Sequence, residues 1–546
     1  MPGPETSAIE NGALCPVTVA ASVARAAALA PTVTALVAPD GRQNFAELAD
    51  RVVDLRKALV QLGVNRGDHV GLCLGNSVVF HNLFLALATL GAVVVPVNTR
   101  LRADEIGYAI RQSKVRVLFT ADQLLSSDFL SMLRQIIPGI DTALPDPHFP
   151  DLQKIVVIGD TCPTAAIAWD DFLTAGIPVA DPGPQSDPTD VVLIQYTSGS
   201  TGFPKGVMLR QCGMLTNGFV SGQRMGLRTG DRFHSARPFF HVAGTSLSIL
   251  AALQNVATLV TMTRFEPTEA LALMEQEACT HFSGNDTMAL MLLNHPDRAK
   301  RKLSLRGAWV AGSTTVLRRV VEELGARECV SGYGLSEASP NVAQSCWWEP
   351  VEVRTSGKMR PQPGLDVRVI NPATGLAETA GIAGEIQVRG WSVMRGYFDM
   401  PDKTIEVLAE DGWLSTGDLG RFDADGRLEF VGRLKNIVRV GGENVSPEEV
   451  ENVLNRHPAI RLSQVVGVPD ERLQEVCAAF VIPNDGMKID PEEVMAWARE
   501  VMASFKVPRY VWAVDGFEDI GMTASSKVQK SKLAEHARRL LDKVVA

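Results

Sequence analysis

Asp190–Arg210 reads DVVLIQYTSGSTGFPKGVMLR. Val191-Val192-Leu193-Ile194 is a short apolar, β-branched run of the kind that forms a buried strand. It leads into Thr197-Ser198-Gly199-Ser200-Thr201-Gly202-Phe203-Pro204-Lys205-Gly206. The strand fixes one end of this loop. Gly199 and Gly202 let backbone N–H groups converge in conformations that a Cβ forbids. Thr197, Ser198, Ser200 and Thr201 add hydroxyl donors, and Lys205 adds a positive charge. The segment is composed as a cradle for polyphosphate. It is not a Walker A loop, because that motif has Gly directly before its Lys and Pro204 stands there. A Ser/Thr/Gly linker is the plainer reading, but a linker does not leave a buried strand and end in Pro-Lys-Gly.

Upstream, from Phe45 to Phe119, helical spacing alternates with short β-branched runs. Examples are Val70-Gly71-Leu72-Cys73-Leu74 and Ala92-Val93-Val94-Val95-Pro96-Val97. That alternation predicts an α/β architecture with buried parallel strands. Ala20–Ala30 predicts a helix ended by Pro31. Ile155–Ile158 predicts a core strand between two Pro- and Asp-rich surface connections, Leu144–Pro150 and Asp181–Pro188.

Past residue 185 no linker is evident until Gly432-Arg433-Leu434-Lys435. Ser446-Pro447-Glu448-Glu449 then opens a helix, with Ser as N-cap, Pro in the first turn and Glu three residues after the cap. Val450, Val453 and Leu454 supply its apolar face. Strands at Gln464–Val468 and Val476–Ile482 and a helix from about Pro491 complete a small α+β unit. The expected fold is α/β: a large multi-subdomain N-terminal lobe, 1–433, with parallel and mixed sheets, and a small C-terminal domain, 434–546, on a hinge.

The chain has 546 residues, enough for several domains. Hydrophobic residues at 46% and charged residues at 21% suit a packed globular protein and exclude disorder. Lys and Arg number 53 against 62 Asp and Glu, a net charge of −9. That balance argues against a nucleic-acid binder with a broad basic surface, though not against a local anion pocket. The eight cysteines are scattered without zinc spacing and read as buried small hydrophobes in a reducing compartment. The N-terminus has no basic-then-apolar signal pattern. The most apolar stretch, Phe84–Val97, has 14 residues where a membrane span needs ~20. The expectation is a cytoplasmic protein without a transmembrane segment; a homodimer stays open.

Tyr196–Gly206, YTSGSTGFPKG, resembles the signature of the adenylate-forming superfamily, which includes acyl-CoA synthetases, peptide-synthetase adenylation domains and luciferases. Further segments are similar to that family's motifs in the same order along roughly residues 15 to 535. The resemblance gives Thr197 and Lys205, with Ser198, Gly199, Ser200, Thr201 and Gly202 between them, to the phosphates of ATP. Pro238–Gly244 alone reads as a strand end with one histidine. The resemblance makes it a wall of the acyl pocket, with His241 as a catalytic gate beside Val242. Gly284 and Asp286 join that pocket, Asp286 standing where many relatives have Pro. The small-residue turn Gly312-Ser313 is implied to admit adenine.

Ser331–Glu337 is similar to the family's Tyr-Gly-x-Thr/Ser-Glu. It implies nucleotide binding by Tyr333, Gly334 and Ser336, and a catalytic Mg²⁺ held by Glu337, since such an ion needs only one or two protein carboxylates. Asp418, in Thr-Gly-Asp, is assigned to the ribose hydroxyls, and Arg433 matches the family's ribose-binding Arg. Lys435 is the implied hinge, and Arg439 and Gly442 the thioester face. Lys527 matches the lysine that grips the substrate carboxylate and α-phosphate, although Ser526 replaces the usual Gly before it.

The implied activity is an AMP-forming acid–thiol ligase using ATP, Mg²⁺ and CoA on a fatty, aryl or alicyclic carboxylic acid. Two alternatives stay open. Gly334-Leu335-Ser336-Glu337-Ala338 nearly matches the Gly-x-Ser-x-Gly elbow of serine esterases, with His457 and His536 downstream. An adenylating ligase serving a carrier protein in trans is the other.

Overall fold

The computed structural model describes residues 17–197, 204–441, 443–522 and 528–545. Among them the chain forms four larger sheets. The first has eight strands. Its core is parallel: Val191–Thr197, Val93–Pro96, His69–Cys73, Val117–Ala121, Lys154–Ile158 and Ile167–Ala168. Lys205–Arg210 and Gly396–Tyr397 extend it antiparallel at one edge.

The second sheet, of seven strands, is parallel through Glu328–Val330, Gly307–Ala311, His281–Asn285, Arg232–Ser235, Thr258–Val260 and Thr34–Ala38. Gly41–Asn44 returns antiparallel. A third sheet is antiparallel and includes Gly332–Gly334, Leu414–Phe422 and Leu428–Arg433. The fold is therefore α/β, with mixed rather than wholly parallel sheets.

Local sequence explains how these layers close. Asn44 caps the helix Phe45–Gln61, accepting from Glu47 N–H while the Glu47 side chain accepts in return. The apolar stretch Phe84–Val97 is not one element. Helix Val78–Leu90 ends at Gly91, whose φ of 72° is a left-handed turn that glycine adopts without strain, and strand Val93–Pro96 follows fully buried. No described helix is long and apolar enough to cross a membrane. Among the described cysteines five are buried as expected, but Cys162 is exposed and Cys212 half-buried.

The C-terminal unit pairs Ile460–Asp470 with Gln474–Pro483 in a hairpin longer than its apolar cores suggest. Val438–Val440, Glu443–Val445 and Tyr510–Ala513 complete that sheet. Helix Pro447–Leu454 begins at Ser446, whose Oγ accepts from Glu449 N–H at 3.3 Å and donates to Val431 O at 2.6 Å. The cap thus starts a helix and ties it to the end of strand Leu428–Arg433.

Candidate active site

The first cluster lies at the open end of the hairpin Val191–Thr197/Lys205–Arg210. Thr197 pairs in register with Lys205, and its Oγ1 donates to Lys205 O at 3.4 Å. Ser198, Gly199, Ser200, Thr201 and Gly202 lie outside the described residues. Edge strand Gly396–Tyr397 sets the Tyr397 ring 4.2 Å beneath Lys205 Nζ. The Tyr397 hydroxyl donates to Glu337 Oε1 at 2.8 Å. Burial, and then the Glu337 charge, push the phenol's pKa well above its ordinary value, so it remains a donor. Glu337 O accepts from Met394 N–H at 2.8 Å, which fixes the backbone beneath the carboxylate.

The second cluster begins four residues earlier. Tyr333 OH donates to Asp418 Oδ2 at 2.9 Å, and Arg433 Nε lies 3.0 Å from Asp418 Oδ1. Asp418 and Arg433 are direct partners on antiparallel strands, so pairing register alone brings them together. The Tyr333 ring, expected to stack on adenine, stacks on Phe430 at 5.3 Å with one of its faces. Gly334 has its own reason to be glycine: a Cβ there would sit 2.0 Å from Pro340 O.

Ser336 opens a one-turn helix, Ser336–Ala338, after the antiparallel strand Gly332–Gly334. The esterase elbow needs a strand-to-helix nucleophile turn and a histidine. His457 packs edge-on against Trp497 at 5.1 Å, and His536 packs on Phe480 at 5.8 Å, both within the C-terminal unit. The esterase reading is not favoured.

The third cluster sits where parallel strands Arg232–Ser235, His281–Asn285 and Gly307–Ala311 end, the edge at which α/β sheets present ligand crevices. His241 Nδ1 accepts from Ala243 N–H at 3.2 Å, and Val242 is buried. Beyond it Thr245–Leu250 winds as a π-helix, a wide turn frequent at functional sites. Asp286 accepts Ser313 N–H on both oxygens, at 2.9 and 3.0 Å. Burial nevertheless raises its pKa from 3.8 to about 6.

A Cβ on Gly312 would lie 2.1 Å from Asp286 Oδ1. The small residue at 312 therefore makes room for this carboxylate. Ser313 Oγ caps helix Thr314–Glu323. Gly284 gives its carbonyl to Arg237 at 2.6 Å. This cluster joins the second through Trp309, whose ring would stand 2.8 Å from a Cβ on Gly332.

Toward the C-terminal unit, Lys435 is exposed in the short turn Leu434–Asn436. Arg439 is exposed, and its N–H donates to Glu475 at 2.9 Å. Gly442 and Lys527 lie outside the described residues.

Residues 23–398 match the family described as AMP-binding enzyme, and residues 449–527 match the AMP-binding enzyme C-terminal domain. The chain belongs to the AMP-binding enzyme family. Among its relatives is YngI of Bacillus subtilis (strain 168), provisionally named an acyl-CoA synthetase. It is 35% identical over 520 residues, covering 92% of this chain and 94% of YngI. A second is the 3-[(3aS,4S,7aS)-7a-methyl-1,5-dioxo-octahydro-1H-inden-4-yl]propanoyl:CoA ligase of Rhodococcus jostii (strain RHA1). It is 33% identical over 537 residues, covering 96% and 99% of the two chains. The structure of the anthranilate CoA ligase AuaEII in complex with anthranoyl-AMP superposes with a TM-score of 0.85 at 26% identity, covering 96% and 98%.

Two residues of these clusters are not among those the sequence motifs single out. Val393–Tyr397 reads by itself as a strand with a glycine turn, structural on its face, yet the chain has only five tyrosines. Tyr196, Tyr333 and Tyr397 all lie in motif segments, a scarcity signal that was there to be read. Arg237 stands one residue before Pro238 and carries no motif of its own.

Proposed function

We propose that this AMP-binding enzyme is an ATP-dependent acyl-CoA synthetase, which activates a carboxylic acid as acyl-AMP, releases pyrophosphate and passes the acyl group to CoA. The observation that carries the reading is the short segment Tyr333–Glu337. At one end it holds Asp418 and Arg433, suited to ribose hydroxyls; at the other it faces Lys205 through Tyr397, suited to phosphates. Nearly full-length similarity to named CoA ligases supports the same reading.

A carboxylate oxygen leaves poorly, so the acid must first attack the α-phosphorus of ATP while pyrophosphate departs. Positioning and charge stabilisation carry such transfers. Residues 197–206 would hold the departing phosphates, with Lys205 as their cation. Asp418, already oriented by Tyr333 and Arg433, would accept the ribose hydroxyls. Lys527 would draw the carboxylate and α-phosphate together, and His241 would gate the acyl side.

Glu337 would hold Mg²⁺, which supplies charge neutralisation on the phosphates. No group of three ligating side chains forms among the described residues, which fits an ion held mainly by substrate oxygens.

The division at 433 serves the second step. Residues 434–546 would turn about Lys435, withdrawing Lys527 and presenting Arg439 and Gly442 to the thiol, a hinge motion in which few residues absorb the change. Fatty, aryl and alicyclic acids all fit the class. The name of the Rhodococcus relative, a bicyclic propanoyl ligase, supports the alicyclic arm. Free, scattered cysteines among the described residues support a reducing, cytoplasmic location.

The test is AMP and pyrophosphate formation from ATP, Mg²⁺, CoA and an acid panel. Ester hydrolysis without ATP, in the absence of any pyrophosphate release, overturns the reading.

A further inference from the structure

Arg237 lies at the end of strand Arg232–Ser235, beside the Gly284 carbonyl and four residues before His241. Its Nε donates to Ser283 Oγ at 2.8 Å and its Nη2 to Gly284 O at 2.6 Å. The guanidinium covers the Trp309 ring at 4.4 Å. Every one of these partners is neutral. No carboxylate among the described residues pairs with Arg237, although Asp286 is only two residues beyond Gly284 and is held instead by Ser313 N–H. The side chain is partly buried and keeps some accessible surface at the strand ends.

The same spot holds an unmet donor. Trp309 Nε1 is buried and has no acceptor among the described residues. A cation enclosed among neutral groups, next to an unsatisfied indole N–H, is costly unless an acceptor from outside the chain completes it. Burial lowers the guanidinium to about 10, so it is still a cation at neutral pH.

We propose that Arg237, with Trp309, sets acyl specificity, and that the preferred acid carries a second oxygen acceptor, a ketone or a second carboxylate, away from its reacting carboxylate. This rests on the ligase reading above, in which Lys527 and His241 serve the reacting carboxylate and leave Arg237 for another group. A hydrocarbon acid of equal length would leave the Arg237 charge without an anionic or added acceptor and Trp309 Nε1 without any, the situation in which polar sites discriminate most strongly.

The test is a matched panel: octanoic, 7-oxooctanoic and octanedioic acids, and 3-cyclohexylpropanoic and 3-(4-oxocyclohexyl)propanoic acids, each scored as kcat/KM for pyrophosphate release. Wild type should favour an oxygenated acid over its hydrocarbon counterpart by ~10-fold or more. Whether the oxo acids or the diacid gain more tells ketone from carboxylate. Arg237→Met should erase that preference by lowering the oxygenated acids alone, and Arg237→Lys should keep part of it. Equal rates for hydrocarbon and oxygenated acids in wild type overturn the inference, and this comparison holds even if the Met variant fails to fold. So does an Arg237→Met loss shared equally by all the acids, which would mark a purely structural pillar under Trp309. Absence of pyrophosphate release with every acid overturns the ligase reading itself, and the inference falls with it.

Discussion

The Tyr397 hydroxyl donates to Glu337 Oε1 across 60 residues of sequence, while its ring supports Lys205 Nζ. One aromatic side chain thereby touches both a carboxylate and an ammonium of the site. Tyr397→Phe removes the hydrogen bond and keeps the ring. Hydrogen bonds to charged groups contribute about 1.5–3 kcal/mol. Adenylation kcat should therefore fall by roughly 10-fold or more, with KM for the acid little changed. Steady-state pyrophosphate release checks this; a rise in the acid KM alone would place Tyr397 in the acyl pocket instead.

Asp418 and Arg433 form a second pair with separable roles. Asp418→Asn strikes the group that would touch ribose, and kcat/KM for ATP should fall by ~10²-fold, the scale of two lost charge-assisted hydrogen bonds. Arg433→Met removes the cation beside Asp418 while the Tyr333 hydroxyl still donates to that buried carboxylate. It should raise KM for ATP less, and lower stability by about 1–3 kcal/mol. Urea unfolding beside ATP titration separates the two. Equal effects of both variants on ATP kinetics would show that Arg433 contacts the nucleotide itself.

Asp286 gives a pH signature of definite sign. Folding raises its pKa from 3.8 to about 6, chiefly through burial. Between those values the folded chain binds more protons than the unfolded one, so this group's contribution makes stability fall as pH rises from about 4 to about 6, and stay lower above. The full effect is on the order of 2–3 kcal/mol. Asp286→Asn keeps an oxygen for Ser313 N–H and removes the charge. Its unfolding midpoint should exceed wild type at pH 8 and converge with it near pH 4. Because the carboxylate is already engaged with Ser313, the ranking of acids should not change. A stability difference independent of pH would refute the assignment.

Much of this site was legible because its chemistry is carried by short contiguous runs. The strand before Thr197, the cap at Ser446 and the Thr-Gly-Asp ending in Asp418 each declare themselves within a few residues. Local reading failed where partners meet only through sheet topology. Tyr397 faces Glu337 because an edge strand adds beside Lys205–Arg210, a pairing that neither segment encodes alone. Arg237 carries no local signal; strand order sets it over Trp309, beside Ser283 Oγ and Gly284 O. Gly312 lies against the Asp286 carboxylate, which the helix after the adjacent parallel strand His281–Asn285 supplies, a contact that neither segment encodes alone.

The hinge can be tested by splitting the reaction. Ser446 Oγ bonds Val431 O, and Lys435 lies in the turn between these two anchors, so rotation of the C-terminal unit must be absorbed within a few residues. Lys527 is proposed to act only while the carboxylate meets the α-phosphate. Lys527→Ala should lower adenylation by ~10²-fold or more, in the range of lost electrostatic contacts. The same variant, given synthetic acyl-AMP and CoA, should form thioester at close to the wild-type rate. Lys435→Pro should do the reverse, because proline fixes φ and denies the turn a second conformation: adenylation retained, thioester formation lost. Stopped-flow measurement of both half-reactions in both variants decides the matter. If each change slows the two half-reactions equally, one fixed arrangement serves both steps and the alternation about Lys435 is wrong for this chain.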